Sequence, residues 1–214
     1  KLDRKLKGPI TSILNLAALC QRTELTHRQR DYVGQLVASA TRLAAMLTNV
    51  VDFTKAELGQ ADADSTAFEW ADVLAVVCGQ VGAAADAKGL QWVTDVTADM
   101  PKMLVGDASR LTKVLINLCE NAVQHTRKGE VGITMRLVRS SGLRAKLAVT
   151  VRDSGAGMAA EQMATAFEPM ARDDCVGGHD SSGLGLGLAV SGQMVHAMGG
   201  ILTLDSQVGH GTTL

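Results

Sequence analysis

Asn117-Leu-Cys-Glu-Asn-Ala-Val-Gln-His-Thr126 is the stretch on which the fold of this chain is decided. The run Ala108–Thr126 has helical spacing, so Asn117 and Asn121, four residues apart, share one face. Two carboxamides, with Glu120 between them, offer the hard oxygen atoms that Mg²⁺ prefers; that ion keeps several waters and the phosphates of a substrate. A plain polar helix face would have the same composition.

Downstream, Asp153-Ser-Gly155-Ala-Gly157-Met follows directly on the strand-like LAVTVR. A carboxylate at a strand end can accept from an exocyclic amine such as that of adenine. The two glycines let a ligand approach the backbone. Next, Gly183-Leu-Gly185-Leu-Gly187-Leu-Ala-Val runs into a helix, and free N–H groups at a helix start attract anions. The spacing is not that of a dinucleotide fold, and no Gly-Lys-Ser/Thr of a Walker loop occurs. Gly209-His-Gly211-Thr-Thr is a turn flanking a strand, with His210 a loop residue.

Around these stretches the pattern mixes helices and strands. Helices are expected at Trp70–Lys88, Ala108–Thr126, Ala159–Ala166 and Leu186–Met198. Strands are expected at Leu90–Val96, Glu130–Val138, Lys146–Val151 and Gly200–Leu204, with a turn at Ser140–Gly142 and a polar loop at Arg172–Ser182. This order implies an α+β sandwich with helices on one face of a sheet.

The first 59 residues differ. Leu2, Leu6, Ile10, Ile13, Leu14 and Ala17 have helical spacing to about Arg22, with Pro9 expected to kink or loosen that helix. A polar connection, Thr23–His27, leads to a second helix ending near Leu58, with Gly59 as its cap. Its Val33, Leu36, Ala40, Leu43, Leu47, Val50 and Thr54 alternate steps of three and four, a heptad seam. The two helices form an antiparallel hairpin, which is expected to dimerise as a four-helix bundle rather than pack only on its own chain. Gln60–Ala67, small and polar, is the expected linker, giving domains 1–59 and 68–214.

Composition narrows the classes. The 214 residues carry 21 Lys+Arg against 22 Asp+Glu, a net charge of −1, which gives no support for nucleic-acid or membrane-surface binding. Aromatic residues at 3% disfavour a base-stacking platform. Cys20, Cys78, Cys119 and Cys175 are scattered without a CxxC pair, so they are expected to be reduced, small apolar residues rather than zinc ligands. The best apolar run, Leu74–Ala85, is too short to cross a bilayer. Lys1 opens a charged amphipathic segment rather than a leader, and both ends are expected to be cuts within a larger protein.

Taken in order, NLCENAVQHT, DSGAG, AFEP and GLGLGLAV resemble the asparagine, first glycine, phenylalanine and second glycine boxes of sensor histidine kinases. That ATP-binding fold is shared with the gyrase, heat-shock chaperone and mismatch-repair ATPases. GGILTLDSQVGHGTTL resembles the family's final strands, and residues 1–59 its dimerisation and histidine-phosphotransfer hairpin, with TKAELGQ at the exit. The resemblance implies ATP and Mg²⁺ as cofactors. It places Asn121 on the metal with Asn117 nearby, His125 near the adenine, and Asp153 on the adenine amine in a pocket shaped by Gly155 and Gly157. It sets Gly183, Gly185 and Gly187 along the phosphates and makes Arg172–Ser182 a mobile lid. Gln124, Phe167, Leu186 and Thr212 fall at further nucleotide-site positions, Gln124 where a lysine is common.

The pattern breaks on the first helix. The family's His-Glu-x-x-Thr/Asn-Pro, anchored on Pro9, is here Arg4-Lys5-Leu6-Lys7-Gly8-Pro9. Arg4 replaces the phosphoacceptor, Lys5 the acid/base and Gly8 the residue of phosphatase work. Arginine stays protonated and has no free lone pair for attack. Lysine opposes a carboxylate in charge and would need a large pKa depression to act as a base. The expectation is a regulatory pseudokinase that binds Mg·ATP. It would act as a homodimer through residues 1–59 or as a heterodimer with another sensor kinase, beside a response regulator or receiver domain, and without nucleic acid. Two alternatives are an active kinase, working in trans or carrying an engineered Arg4, and a gyrase- or chaperone-type ATPase. The expected location is cytoplasmic, with any membrane tether outside these residues.

Overall fold

The computed structural model describes residues 2–57, 65–142, 144–169 and 186–214. α1 (Leu2–Gln21) and α2 (His27–Glu57) form the antiparallel hairpin. α1 runs unbroken through Pro9. α2 starts on a capping box: Thr26 N–H donates to Gln29 Oε1 (3.0 Å), and Gln29 N–H donates to Thr26 Oγ1 (3.3 Å). The buried seam is offset from the expected one. Ile10, Ala17 and Ala40 are buried, and Val33, Val37, Ala44 and Leu47 half-buried, while Leu36 and Leu43 stay exposed. A helix of 3.6 residues per turn drifts relative to a strict heptad, so α2 meets α1 along one stripe and leaves part of the heptad row outward. Val50, Thr54 and Gly59 lie outside the residues whose side chains are described.

The second unit is a five-stranded sheet of order β2-β4-β5-β7-β6, with a separate antiparallel pair β1-β3. Its strands are β1 (Thr66–Glu69), β2 (Gln91–Val96), β3 (Met103–Gly106), β4 (Glu130–Ser141), β5 (Arg144–Asp153), β6 (Asp205–Gln207) and β7 (Gly211–Thr213). β2 runs parallel to β4, and every other neighbouring pair is antiparallel. Helices α3 (Trp70–Ala87), α4 (Ala108–His125) and α6 (Gly187–Ala197) pack together as the helical layer; short α5 (Ala160–Thr165) stands apart. The core joins Val77 and Val81 of α3, Leu115, Leu118 and Cys119 of α4, and Val131, Ile133, Met135 and Val151 of the sheet. Each fully buried aliphatic side chain contributes about 1.5–3 kcal/mol. This is the α+β architecture expected.

Two expectations are corrected, and one strand is new. β1 begins at Thr66, inside the expected linker, because Thr66–Glu69 pairs with Gly106–Met103. β3 was not anticipated; four residues after Pro101 are too few to show an alternation. Gly200–Leu204 is not a strand: Ile201 is 88% exposed, and ladder pairing starts only where Asp205 meets Thr213. α3 is also longer than its apolar run. At 18 residues it satisfies the length and composition of a membrane span, yet Val77, Val81 and Ala85 are fully buried against the domain, which makes it a core helix. Among the cysteines, Cys119 is buried, Cys78 half-buried and Cys20 exposed, all three free thiols; Cys175 lies outside the described residues. Burial, with Cys78 and Glu120 nearby, pushes the Cys119 thiol up to about 12, so it stays neutral.

α4 is fixed at its start by Asp107. One carboxylate oxygen accepts from the Arg110 N–H at 2.8 Å, and the other meets Arg110 Nε at 3.1 Å. Both side chains are nearly buried. Asp107→Ala is expected to lower stability by about 1–3 kcal/mol, measured by urea melts; a loss below about 0.5 kcal/mol would show that the cap does not hold α4.

Candidate functional site

Three segments converge at the C-terminal end of α4. The helix presents Asn117, Asn121 and His125; β5 ends on Asp153; and β7 brings Thr212. α4 ends with Thr126, fully buried, whose N–H and Oγ1 both donate to the Ala122 carbonyl. Lys88 Nζ reaches across from the end of α3 to the Val123 and Gln124 carbonyls, at 2.8 and 3.0 Å. A cation on the last carbonyls offsets the negative end of the helix. No local pattern marks Lys88, because its partners are 35 and 36 residues away in sequence.

Asp153 is 7% exposed. Its Oδ1 accepts from the Gly155 N–H at 2.8 Å, and the Thr212 backbone N–H also serves the carboxylate. Burial pushes the carboxyl above its ordinary value, while these two N–H groups and the nearby His125 pull it the other way. Gly155 is required by crowding: a Cβ there would lie 2.5 Å from the His125 carbonyl oxygen and 2.8 Å from Asp153 Oδ1. Gly157, at φ +66°, packs against the Gln207 carbonyl, so in this fold it serves the β6 contact. Ser206 ties the same corner together. Its Oγ accepts from the Met158 N–H (2.8 Å), donates to the Gly211 carbonyl (3.0 Å) and lies 2.9 Å from Thr212 Oγ1. Sequence reading had not singled it out.

Asn117 is tied to α6. Its Nδ2 donates to the Gly187 carbonyl (2.8 Å) and to Ser191 Oγ (2.7 Å). Asn121 is half-buried one turn on, and Gln124 is exposed. Glu120 is turned away: its Oε1 accepts from Gln80 Nε2 of α3 at 3.0 Å, so it does not join the amide face. Leu186, 4% exposed, is a core residue at the start of α6. Phe167 lies elsewhere. It faces α6 near Gly192, in an open groove of about 540 Å³ shared with Ala189, His196 and Ile201 and with none of the other candidate residues. Arg4 and Lys5 lie on α1, their side chains outside the described residues, and Gly8 is exposed there. Gly183, Gly185 and the expected lid Arg172–Ser182 also lie outside them.

The raised carboxyl makes stability depend on pH. In the unfolded chain Asp153 ionises at its ordinary 3.8; in the fold it ionises higher. The cost of holding a buried carboxylate is absent below 3.8 and grows as pH rises through the folded value. Asp153→Asn is therefore expected to gain stability relative to the parent between acid and neutral pH. Denaturant melts across that range check it, and a pH-independent difference would refute it.

Residues 106–214 match the family described as histidine kinase-, DNA gyrase B- and HSP90-like ATPase, and residues 4–59 match the His Kinase A (phospho-acceptor) domain. Similar proteins include the sensor protein GacS of Pseudomonas syringae pv. syringae, 33% identical over 211 residues, covering 99% of this chain and 23% of the relative. The signal transduction histidine-protein kinase BarA of Escherichia coli (strain K12) is 29% identical over 212 residues, with the same 99% and 23% coverage. The chain thus spans about a quarter of the length of these relatives. Among solved structures, full-length ShkA in complex with AMPPNP has a TM-score of 0.80 at 26% identity, covering 99% of this chain and 43% of that one. The Acinetobacter baumannii histidine kinase AdeS, at 20% identity and a TM-score of 0.66, shares the fold over 98% of this chain and 94% of its own. The chain belongs to the histidine kinase-, DNA gyrase B- and HSP90-like ATPase family, and forms a sensor histidine kinase core.

Proposed function

We propose that this core binds Mg·ATP but does not phosphorylate itself at the usual place, and that it regulates signalling through dimerisation with itself or with a partner kinase. The observation that carries the reading is a nucleotide-site constellation retained beside Arg4, Lys5 and Gly8 in the acceptor stretch. The groups present suit the ligand. Asp153 offers a shielded acceptor at the height of α4's end, suited to an exocyclic amine. Asn117 and Asn121 offer amide oxygens on one helix face. Among the described residues no three His, Cys, Asp or Glu side chains converge, so a cation here would be held by amide oxygens together with the nucleotide's phosphates. Bound Mg²⁺ would supply charge neutralisation at those phosphates. The chain's own part is to orient the base on Asp153 and to hold the amide face.

Arg4 on α1 has no lone pair with which to attack a phosphoryl group. With Lys5 beside it the stretch is cationic, suited to pairing with phosphate oxygens but not to accepting the phosphoryl group. The exposed apolar side chains Ile13, Leu16, Leu19, Leu36 and Leu43 on the hairpin support a four-helix dimer. The functional units on this reading are the hairpin 1–59 and the ATP-binding unit, joined before β1. A response regulator or receiver domain is the expected partner class, in the cytoplasm, where ATP is available.

With γ-labelled Mg·ATP the purified chain is expected to take up no acid-labile phosphate, while Arg4→His with Lys5→Glu restores labelling. Label on the parent chain would overturn the pseudokinase reading. Steady hydrolysis without phosphoprotein would favour a simple ATPase. Leu16→Glu with Leu36→Glu is expected to convert a sedimenting dimer to monomer; an unchanged mass would place the interface elsewhere.

A further inference from the structure

Asn117 belongs to the family's asparagine box, but the structure assigns its neighbours a task that the box does not describe. Both hydrogens of its Nδ2 are used within the protein, one on the Gly187 carbonyl at 2.8 Å and one on Ser191 Oγ at 2.7 Å. A backbone carbonyl can only accept, so the Gly187 bond fixes which end of the amide is nitrogen. Oδ1 is then the end left for a ligand. Ser191, 1% exposed, sits one turn into α6 and cannot swing aside into solvent. Gly187 admits the amide: a Cβ there would fall 2.9 Å from Oδ1 and 3.2 Å from Nδ2. The glycine is thus explained by the approach of α4, independently of any phosphate.

We propose that Ser191 is a positioning residue for Mg·nucleotide. It acts through Asn117, holding the amide so that Oδ1 faces the metal or a water bound to the metal. The inference rests on the Mg·ATP reading above. An amide free to rotate presents nitrogen to a cation in part of its population, and Asn117 held by Gly187 alone would still be free to tilt. Groups one step removed from a metal tune its affinity by about 10- to 100-fold when they are lost. Ser191 acts on an amide rather than an imidazole, and one hydrogen bond remains, so the expected loss lies at the lower end.

The test measures AMPPNP affinity of the full 214-residue chain by calorimetry, with Mg²⁺ and with EDTA. Ser191→Ala is expected to weaken binding about 5- to 10-fold with Mg²⁺ and less than about twofold in EDTA. Ser191→Cys leaves almost no cavity but offers only a weak acceptor, and is expected to show the same split. In an Asn117→Ala background the Ser191→Ala effect should vanish, since the residue acts through that amide. Equal loss with and without Mg²⁺, or a loss that persists without Asn117, would reduce Ser191 to a packing residue and overturn the proposal. Unchanged affinity in both Ser191 variants would overturn it as well. If the parent chain binds no AMPPNP in either condition, the Mg·ATP reading and this inference fall together; if the parent shows a Mg²⁺-dependent affinity that the variants share, only this inference falls.

Discussion

The position of α4 is the constraint on which the site depends. The helix is packed between the sheet and two other helices, and the backbone groups at its two ends need partners. Charges from its flanks solve this. Asp107 and Arg110 close the first turn, and Lys88 closes the last by way of the Val123 and Gln124 carbonyls. With both ends fixed, the height at which His125 stops is also fixed, and Gly155 is the residue that lets β5 pass close enough for Asp153 to meet it. The amide face one to two turns earlier is then set by geometry rather than by any contact of its own, until Asn117 reaches α6.

Much of this was legible in the sequence because the informative signals are local. The Asn117/Asn121 face, the Asp153 turn and the glycines before α6 each lie within a few residues, and their order carried the fold. Long-range partners carry no local signature. Lys88 on α4, Ser206 under Gly211 and Ser191 on Asn117 are each far from at least one partner in sequence and look like ordinary surface or small residues when read alone. Gly157 and Gly187 were read for ligand approach, yet each has an immediate protein neighbour that excludes a side chain. Glycine patterns report close approach; they do not say to what. The short β1 and β3 escaped for another reason, being too brief to alternate.

The two halves of the chain differ in how far their notable residues are built into the packing. In the second unit several residues of the site are also structural: Gly155, Gly187 and Asn117 each lie where neighbouring elements meet, so replacing them would damage the fold as well as ligand contact. On α1, a Cβ added at Gly8 would meet nothing. A solvent-facing helix position accepts substitution with little effect on stability, whereas a residue packed between neighbouring elements does not.

The sheet also dictates an order of events during synthesis. Val151 of β5 completes its hydrogen bonding only with Leu214, through Val151 N–H to the Leu214 carbonyl at 2.9 Å and the reverse bond at 2.8 Å. The central strand therefore waits for a partner made more than sixty residues later. Until residue 214 clears the ribosome, β5 presents an open edge, and pairing of such sequence separation is slow. The nascent ATP-binding unit thus passes through an interval in which β5 is open to mispairing, and that interval ends only when Leu214 is in place.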